Sequence, residues 1–222
     1  MINIAIDGPS GAGKSTAARA AAAKLGYIYV DTGALYRAVG VAALRRGIAT
    51  DNAAAVAAML PELEISLRFE AGEQHVYLNG EDVSTDIRLP EASMAASNVS
   101  AVPAVRAFLL DLQKNLAKAN NCLMDGRDIG TVVLPDAQLK VFLTASPEVR
   151  AARRYKELIE RGTPVEYETL LEEIKQRDYN DSHRAVAPLK PADDAVYLDT
   201  GDMTLAEVIA AVAALAREKL DA

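Results

Sequence analysis

The sequence predicts an α/β fold in which a parallel sheet of five strands is flanked by helices, and two observations predict it. The first is a set of five short apolar runs, most of them separated by helical stretches, which is typical of parallel strands joined by crossover helices. These runs lie at residues 2–6, 27–30, 122–124, 139–143 and 196–198. The second is a glycine-rich stretch between the first run and an alanine-rich segment, residues 15–25, that has the composition of a helix.

Local signals mark where several predicted helices begin and end. Gly26 and Gly47 follow helical patterns and are expected as C-caps. Ser146 followed by Pro147 predicts a helix start, because serine is a good N-cap and proline suits the first helical position. Residues 204–207, Thr-Leu-Ala-Glu, fit a capping box that opens the last helix.

One region interrupts the alternation of strands and helices. Residues 63–69 and 75–78 alternate apolar and polar side chains, which is typical of half-buried strands. Asn79-Gly80 is a strong signal for a hairpin turn. We therefore expect a small insertion with antiparallel strands that begins at Pro61.

Composition narrows the class of protein. The chain has 222 residues, 50% of them hydrophobic, which suits one α/β domain with a sizeable core. The net charge of −7 argues against bulk binding to nucleic acid or to an anionic membrane. No apolar run approaches the roughly 18 residues of a membrane span and no signal peptide precedes the first strand, so we expect a cytoplasmic enzyme. The single cysteine, Cys122, is expected as a small core residue.

The glycine-rich stretch fits the P-loop pattern, in which two glycines five residues apart are followed by lysine and serine. The loop N–H groups and the helix dipole then face an anion. In this pattern Lys14 reaches the β- and γ-phosphates, and the Ser15 hydroxyl is a ligand of Mg²⁺. The alternative, a turn that binds no ligand, is disfavoured by the strand and helix on either side. The candidate nucleotide-binding residues are Gly8, Pro9, Ser10, Gly11, Ala12, Gly13, Lys14, Ser15 and Thr16.

A polar motif at residues 31–37 follows the second predicted strand. Loops after the carboxyl ends of parallel strands line the ligand crevice, and the P-loop lies at the same edge. Thr32 and Arg37 can therefore approach the same ligand. On its own, the motif is better explained as a capped helix start with Arg37 in solvent.

Residues 125–128, Asp-Gly-Arg-Asp, follow the third apolar run. Asp125 occupies the Walker B position at the end of that strand, where an acid can hold Mg²⁺ directly or through water. The glycine and Arg127 beside it suggest a tight loop that faces an anion. A surface turn is the alternative, and the P-loop favours the functional interpretation.

Two groups of charged residues have helical spacing. Arginines at positions 150, 153, 154 and 161 fall within one broad helix face, which predicts either a lid over phosphates or a solvated face paired with glutamates. Arg177, Asp181 and Arg184 also share a face. A surface ion-pair ladder is the commoner explanation of that pattern, and a site for a polar ligand is the other.

Taken together, these segments resemble the bacterial-type cytidylate kinases, a group of nucleoside monophosphate kinases, from the P-loop to the last helix. The resemblance is carried by residues 6–15, 31–37, 125–128, 177–181 and 184–189. Many families share the P-loop, whereas the other segments in this order are more specific. Thr32 stands where many relatives have serine, which keeps the hydroxyl, and Ser15 stands where some relatives have glycine.

The resemblance implies a P-loop kinase fold that forms a single nucleoside monophosphate kinase domain over residues 1–222. Its five-stranded parallel core would consist of residues 1–60 and 99–222. A small antiparallel insertion near residues 61–98 would bind the acceptor. A helical lid would lie at about residues 150–164.

The resemblance also implies the reaction, which is transfer of the γ-phosphoryl group of MgATP to CMP, and to dCMP, with Mg²⁺ as cofactor. The acceptor phosphate, with a second pKa of about 6, is largely ionised at neutral pH, so we assign no general base and treat Asp128 as an orienting residue. The implied catalytic residues are Lys14, Arg127, Asp128, Arg153, Arg154 and Arg161. Those implied to hold the acceptor phosphate or sugar are Thr32, Arg37, Arg127, Asp128 and Arg177. Ser97, Arg106 and Asp181 would read cytosine with Arg184 in support, and Ser15 and Asp125 would hold the metal.

Two other classes of function stay open at this point. One is another small P-loop kinase that acts on UMP or on a non-nucleotide acceptor. The other is a nucleotide-binding switch protein, which is disfavoured because the chain has no Asn-Lys dipeptide and so lacks the guanine-reading signature of a GTPase. We expect a monomer whose partners are ATP and CMP or dCMP, without nucleic acid or membrane.

Overall fold

The computed structural model describes residues 1–70 and 72–220. The strands in chain order are β1 (Asn3–Asp7), β2 (Ile28–Asp31), β3 (Ile65–Glu70), β4 (Glu73–Leu78), β5 (Glu81–Asp82), β6 (Cys122–Gly126), β7 (Leu139–Thr144) and β8 (Val196–Asp199). Five of them form the main sheet in the order β2-β6-β1-β7-β8, with every pair parallel. The five predicted core strands are thus confirmed to within two residues at either end.

Helices connect and cover these strands, as parallel pairing requires. They are α1 (Lys14–Leu25), α2 (Thr32–Arg45), α3 (Ala53–Met59), α4 (Pro90–Ser100), α5 (Pro103–Ala119), α6 (Pro147–Glu160), α7 (Tyr167–His183) and α8 (Leu205–Leu220). A short π-helical turn, Ile129–Val133, follows β6. The predicted caps are confirmed at Gly26, at Ser146 and in the box formed by Thr204 and Glu207. The C-cap of α2 is Arg46 rather than the predicted Gly47, which follows it with a φ of 65°.

The register of the main sheet brings several acidic residues to one edge. Asp31 is level with Asp125 across β2 and β6, and Asp7 is level with Gly126 across β1 and β6. Since the carboxyl ends of parallel strands meet at this edge, the loops that follow β1, β2 and β6 surround one crevice.

The small sheet, β3-β4-β5, is antiparallel and corresponds to the predicted insertion. Its buried residues Ile65, Val76 and Leu78 belong to one apolar cluster with residues of α2, α4 and α5. The expected insertion boundary at residue 98 falls inside α4, which continues to Ser100. The small sheet is therefore packed onto the core through shared helices.

Helices α2 and α4 approach each other closely at Gly40 on α2. A Cβ atom at this position would lie 2.8 Å from the Cβ of Ala95 and 3.2 Å from the Ala96 backbone nitrogen on α4. These partners are backbone and Cβ atoms, which cannot move aside as a flexible side chain does.

In the described part of the chain, no single helix is long and apolar enough to cross a membrane.

We expect Gly40→Val to destabilise the protein by about 2–3 kcal/mol, because the added methyl groups force α2 and α4 apart. The control is Leu44→Val, at an exposed position of the same helix, which should change stability by less than about 0.5 kcal/mol. Urea denaturation monitored by circular dichroism measures both values. An unchanged free energy of unfolding in Gly40→Val would show that the two helices separate without cost.

Candidate active site

The P-loop connects β1 to α1, as predicted, and α1 begins at Lys14. Its first glycine is needed because a Cβ at Gly8, where φ is 146°, would lie 1.9 Å from the carbonyl oxygen of Leu143. The Lys14 side chain is buried, and its Nζ donates a hydrogen bond to the Pro9 carbonyl at 2.6 Å. The lysine therefore folds back over its own loop, at the N-terminus of a helix where an anion is favoured.

The electrostatic environment of Lys14 favours a bound anion. Burial, and next the positive charge of Arg127, lower the pKa of Lys14 to about 7. The charge of Asp125 partly opposes this change. A phosphate group beside the ammonium would reverse the shift, because a nearby negative charge stabilises the protonated form.

Both predicted metal ligands meet at the carboxyl end of β6. The Ser15 hydroxyl donates to Asp125 Oδ2 at 2.8 Å, and the Tyr29 hydroxyl donates to Oδ1 at 2.9 Å. Burial raises the pKa of Asp125, so a cation at this carboxylate would be stabilising. Hard oxygen donors of this kind fit Mg²⁺, which is commonly held by one or two protein ligands together with phosphates and water. Within residues 1–70 and 72–220, no cluster of three or more His, Cys, Asp or Glu offers a larger donor set.

The start of α2 forms the next wall of the crevice. Thr32 is buried, and its hydroxyl donates to the backbone carbonyl of Asp125 at 2.7 Å. Arg37 lies one turn further along and pairs with Asp31 at 2.6 Å. The predicted capped helix start is present, because the Asp31 carboxylate accepts a hydrogen bond from the Ala34 N–H. The same carboxylate holds Arg37, which therefore does not extend freely into solvent.

Residues from three distant parts of the chain form a buried charge cluster beside Thr32. Asp128 forms ion pairs with Arg106 from α5 and with Arg184, which follows α7. Arg127 donates through Nε to Asp181 at 2.8 Å. The side chains of Asp181 and Arg184 are buried in these contacts. The charge of Arg177 acts on both Lys14 and Asp181. The surface-ladder interpretation of their spacing was therefore wrong.

The charge cluster carries excess positive charge. The cluster contains four guanidinium groups, of Arg106, Arg127, Arg177 and Arg184, and two carboxylates, of Asp128 and Asp181. Two buried donors, Arg177 Nε and Arg184 Nη2, have no hydrogen-bond partner in the described part of the chain. Burial and the neighbouring Arg127 charge lower the pKa of Arg177 to about 10. Such groups are costly unless an anion occupies the site.

Asp181 stays ionised in this environment. Burial acts to raise the pKa of its carboxyl group, but the charge and hydrogen bond of Arg127 and the charges of Arg177 and Arg184 hold the pKa below its usual value. Ser97 is half-buried on α4, one turn from Ser100, whose carbonyl accepts a hydrogen bond from Arg106 at 3.3 Å. Of the three residues assigned to the base, Arg106 and Asp181 thus belong to the charge cluster, and Ser97 lies on the helix whose last turn binds Arg106.

The arginines of the predicted lid do not act as one face. Arg150 is buried, with its guanidinium bonded to the Ser10 carbonyl at 3.0 Å and paired with Asp178 of α7. Arg153 donates to the Thr200 hydroxyl at 3.2 Å and to carbonyl groups of the segment 200–203. Arg154 and Arg161 are more exposed and share Glu157, which agrees with the solvated-face interpretation for these two.

Asp7 contacts the site and was not identified from the sequence as a site residue. Asp7 accepts hydrogen bonds from the N–H groups of Ile129 at 2.8 Å and Gly130 at 2.7 Å, and so fixes the turn that follows Asp128. Burial raises the pKa of Asp7 to about 6. The position of Asp7, directly before the first P-loop glycine, could have identified it as a site residue.

Cys122 is fully buried, as predicted, and burial raises the pKa of its thiol to about 12.

Comparisons with known proteins show which proteins this chain is similar to. A cytidylate kinase from Caldicellulosiruptor saccharolyticus is 52% identical over 208 residues, covering 94% of this chain and 92% of that protein. A cytidylate kinase from Streptococcus sanguinis is 48% identical and covers 100% of this chain and 99% of its own.

A solved structure of an uncharacterized protein from Eubacterium ventriosum aligns with a TM-score of 0.50 at 13% identity, covering 99% of this chain and 98% of that one, which is a likeness of fold alone. The sequence model of the family described as cytidylate kinase matches residues 4–218. With nearly the whole chain covered by that match, and with relatives at about half identity, the chain belongs to the cytidylate kinase family.

Proposed function

We propose that this protein transfers the γ-phosphoryl group of MgATP to CMP and dCMP, giving ADP and the nucleoside diphosphate. The observation that best supports this function is the position of Asp125 between two anion sites. Its carboxylate binds Ser15 at the N-terminus of the P-loop helix, and its carbonyl binds Thr32 at the start of α2. A phosphoryl donor and a phosphate acceptor held on either side of this residue would be brought together, as in-line transfer requires.

The charge cluster suits a nucleoside monophosphate as acceptor. Its excess of two positive charges matches the phosphate dianion, which predominates at neutral pH because the second pKa is about 6. A dianionic acceptor needs no general base. Asp128 is paired with Arg106, and its other carboxylate oxygen lies 3.6 Å from Arg184 Nη2, which fits an orienting role.

The donor side supplies positive charge where the transferred group would pass. Ser15 and Asp125 would hold Mg²⁺ together with the nucleotide phosphates, and the ion neutralises charge on the β- and γ-phosphates. Lys14 would bind the same phosphates from the loop side. Arg127 is close enough to lower the pKa of Lys14, so it would act between donor and acceptor.

The exposed arginines of α6 fit a closing role better than the buried ones. Arg154 and Arg161 are held by Glu157 through partly exposed ion pairs, which are worth only about 0–1 kcal/mol and so release easily. We propose that these two close over the phosphates when both substrates bind, which would exclude water as a competing acceptor. Arg153, with its several bonds to segment 200–203, would instead hold α6 against the core.

Base selection would rest on Asp181, Arg106 and Ser97. Cytosine has an N4 amino donor with acceptors at N3 and O2, whereas uracil has an acceptor at O4. A carboxylate accepts from N4–H and repels O4, and a guanidinium suits the cytosine acceptors. We also propose that the reaction takes place in the cytoplasm and that the protein works as a monomer.

A panel of acceptors tests the function. With ATP saturating, we expect turnover with CMP and dCMP, and much lower kcat/KM with UMP and AMP. The measurement is a coupled assay of ADP release with each acceptor in turn. A higher kcat/KM with UMP than with CMP would contradict the proposed function.

Lys14→Met tests the donor site. The change removes the charge on the phosphates while keeping side-chain volume, so we expect kcat to fall by about 10³-fold or more. Lys24→Met is the matched control, because Lys24 is exposed in the last turn of the same helix and should keep normal turnover. Near-normal turnover in a folded Lys14→Met protein would contradict the P-loop assignment.

Asp181→Ala tests base selection. Loss of the carboxylate should lower kcat/KM with CMP more than with UMP. The preference for CMP over UMP, expressed as a free energy from the ratio of the two kcat/KM values, should fall by about 1–3 kcal/mol. Asn180→Ala, at the exposed neighbouring position of α7, is the control and should leave the CMP/UMP ratio unchanged. An unchanged ratio in Asp181→Ala would mean that this residue only holds Arg127.

A further inference from the structure

One side chain from the small sheet holds the end of strand β2. Gln74 lies on β4, and its Oε1 accepts a hydrogen bond from the Asp31 N–H at 2.9 Å. Its Nε2 donates to the Asp31 carbonyl at 3.2 Å. A single primary amide therefore binds both backbone polar groups of one residue. Because β2 is an edge strand of the main sheet, these groups need a partner from outside that sheet.

Gln74 stands at a position where the strand pattern calls for an apolar residue. Val76 and Leu78 follow it at intervals of two and are buried within the cluster that packs on α2. Residues at this interval lie on one face of a strand, so Gln74 shares their face. A half-buried polar side chain at the inner face is informative because it needs hydrogen bonds to be stable there.

Asp31 in turn holds the residues that face the acceptor. Its Oδ2 pairs with Arg37 at 2.6 Å, and its Oδ1 caps Ala34 at 3.0 Å. The next residue, Thr32, donates its hydroxyl to the Asp125 carbonyl. A shift of the Asp31 backbone would therefore move Thr32 and Arg37 together.

We propose that Gln74 is a positioning residue for the acceptor phosphate, through which the small sheet fixes Asp31, Thr32 and Arg37. The inference rests on the proposed function, since Thr32 and Arg37 are there assigned to the acceptor. It gives the small sheet a specific role, which is to hold the acceptor half of the crevice without touching the acceptor through Gln74 itself.

The chemistry of the contact requires an amide with this side-chain length. Only a group with both an acceptor and a donor can bind the N–H and the carbonyl of Asp31 at once. Methionine has nearly the same shape but neither bond. Glutamate keeps an acceptor for the N–H, yet its carboxylate cannot donate to the Asp31 carbonyl.

Gln74→Met is the principal test. We expect KM for CMP to rise about 3- to 10-fold, with kcat and KM for ATP changed by less than about twofold, because the lost hydrogen bonds support only the acceptor side. Gln74→Glu should raise KM for CMP as well. Glu73→Met, the same replacement at the neighbouring exposed position, is the matched control and should leave all three values unchanged.

Hydrogen exchange gives a second, direct reading. The Asp31 amide should exchange faster in Gln74→Met than in the wild type, and at the wild-type rate in Glu73→Met. An unchanged KM for CMP in a variant with a fast Asp31 amide would overturn the proposal, and so would an equal rise in KM for ATP. If the wild type used another nucleoside monophosphate, the proposed function would fail, and the same comparison made with that acceptor would still decide the role of Gln74.

Discussion

The geometry of the crevice depends on the hydrogen bonds that Asp125 forms through its buried carboxylate and its backbone carbonyl. This residue ends the strand next to both β1 and β2, so the P-loop and the start of α2 are adjacent to it by sheet topology alone. Ser15 and Tyr29 hold its two oxygens, and Thr32 holds its carbonyl. One residue thereby sets the spacing between the N-termini of α1 and α2, which are the two ends that attract anions.

Around this residue, the protein buries positive charges that its own acidic side chains do not balance. Among the described residues, Arg177 Nε and Arg184 Nη2 are buried without a hydrogen-bond partner, and Lys14 loses proton affinity through burial. In an ordinary core such groups are replaced by apolar residues or paired fully. Here the missing negative charge would come from the phosphates of the substrates, so that binding them balances the buried positive charge. The stability of this region should therefore increase when both substrates are present.

The sequence predicted the parts of this arrangement that local patterns encode. Apolar runs and glycines located the five core strands, the P-loop and the hairpin at Asn79 because strand, turn and helix signals act over a few residues. Family resemblance located Arg106 and Asp181, which no spacing connects. The pairing of Arg150 with Asp178 was not predicted. Helical spacing alone does not distinguish an arginine on a solvated face from one in a buried contact, because that difference depends on the tertiary fold.

The small sheet shows why insertions of this kind are attached where they are. An edge strand leaves backbone groups open on one side, and β2 is the edge strand whose loop faces the acceptor. A sheet packed beside this strand can form hydrogen bonds with those backbone groups and also hold the loop in place, as the amide of Gln74 does at Asp31. The apolar cluster shared with α2 and α4 packs the small sheet against the core, and Gly40 allows the two helices to approach closely. The position of the acceptor residues thus depends on packing some distance from the crevice, and a substitution in the small sheet can change substrate binding without contacting substrate.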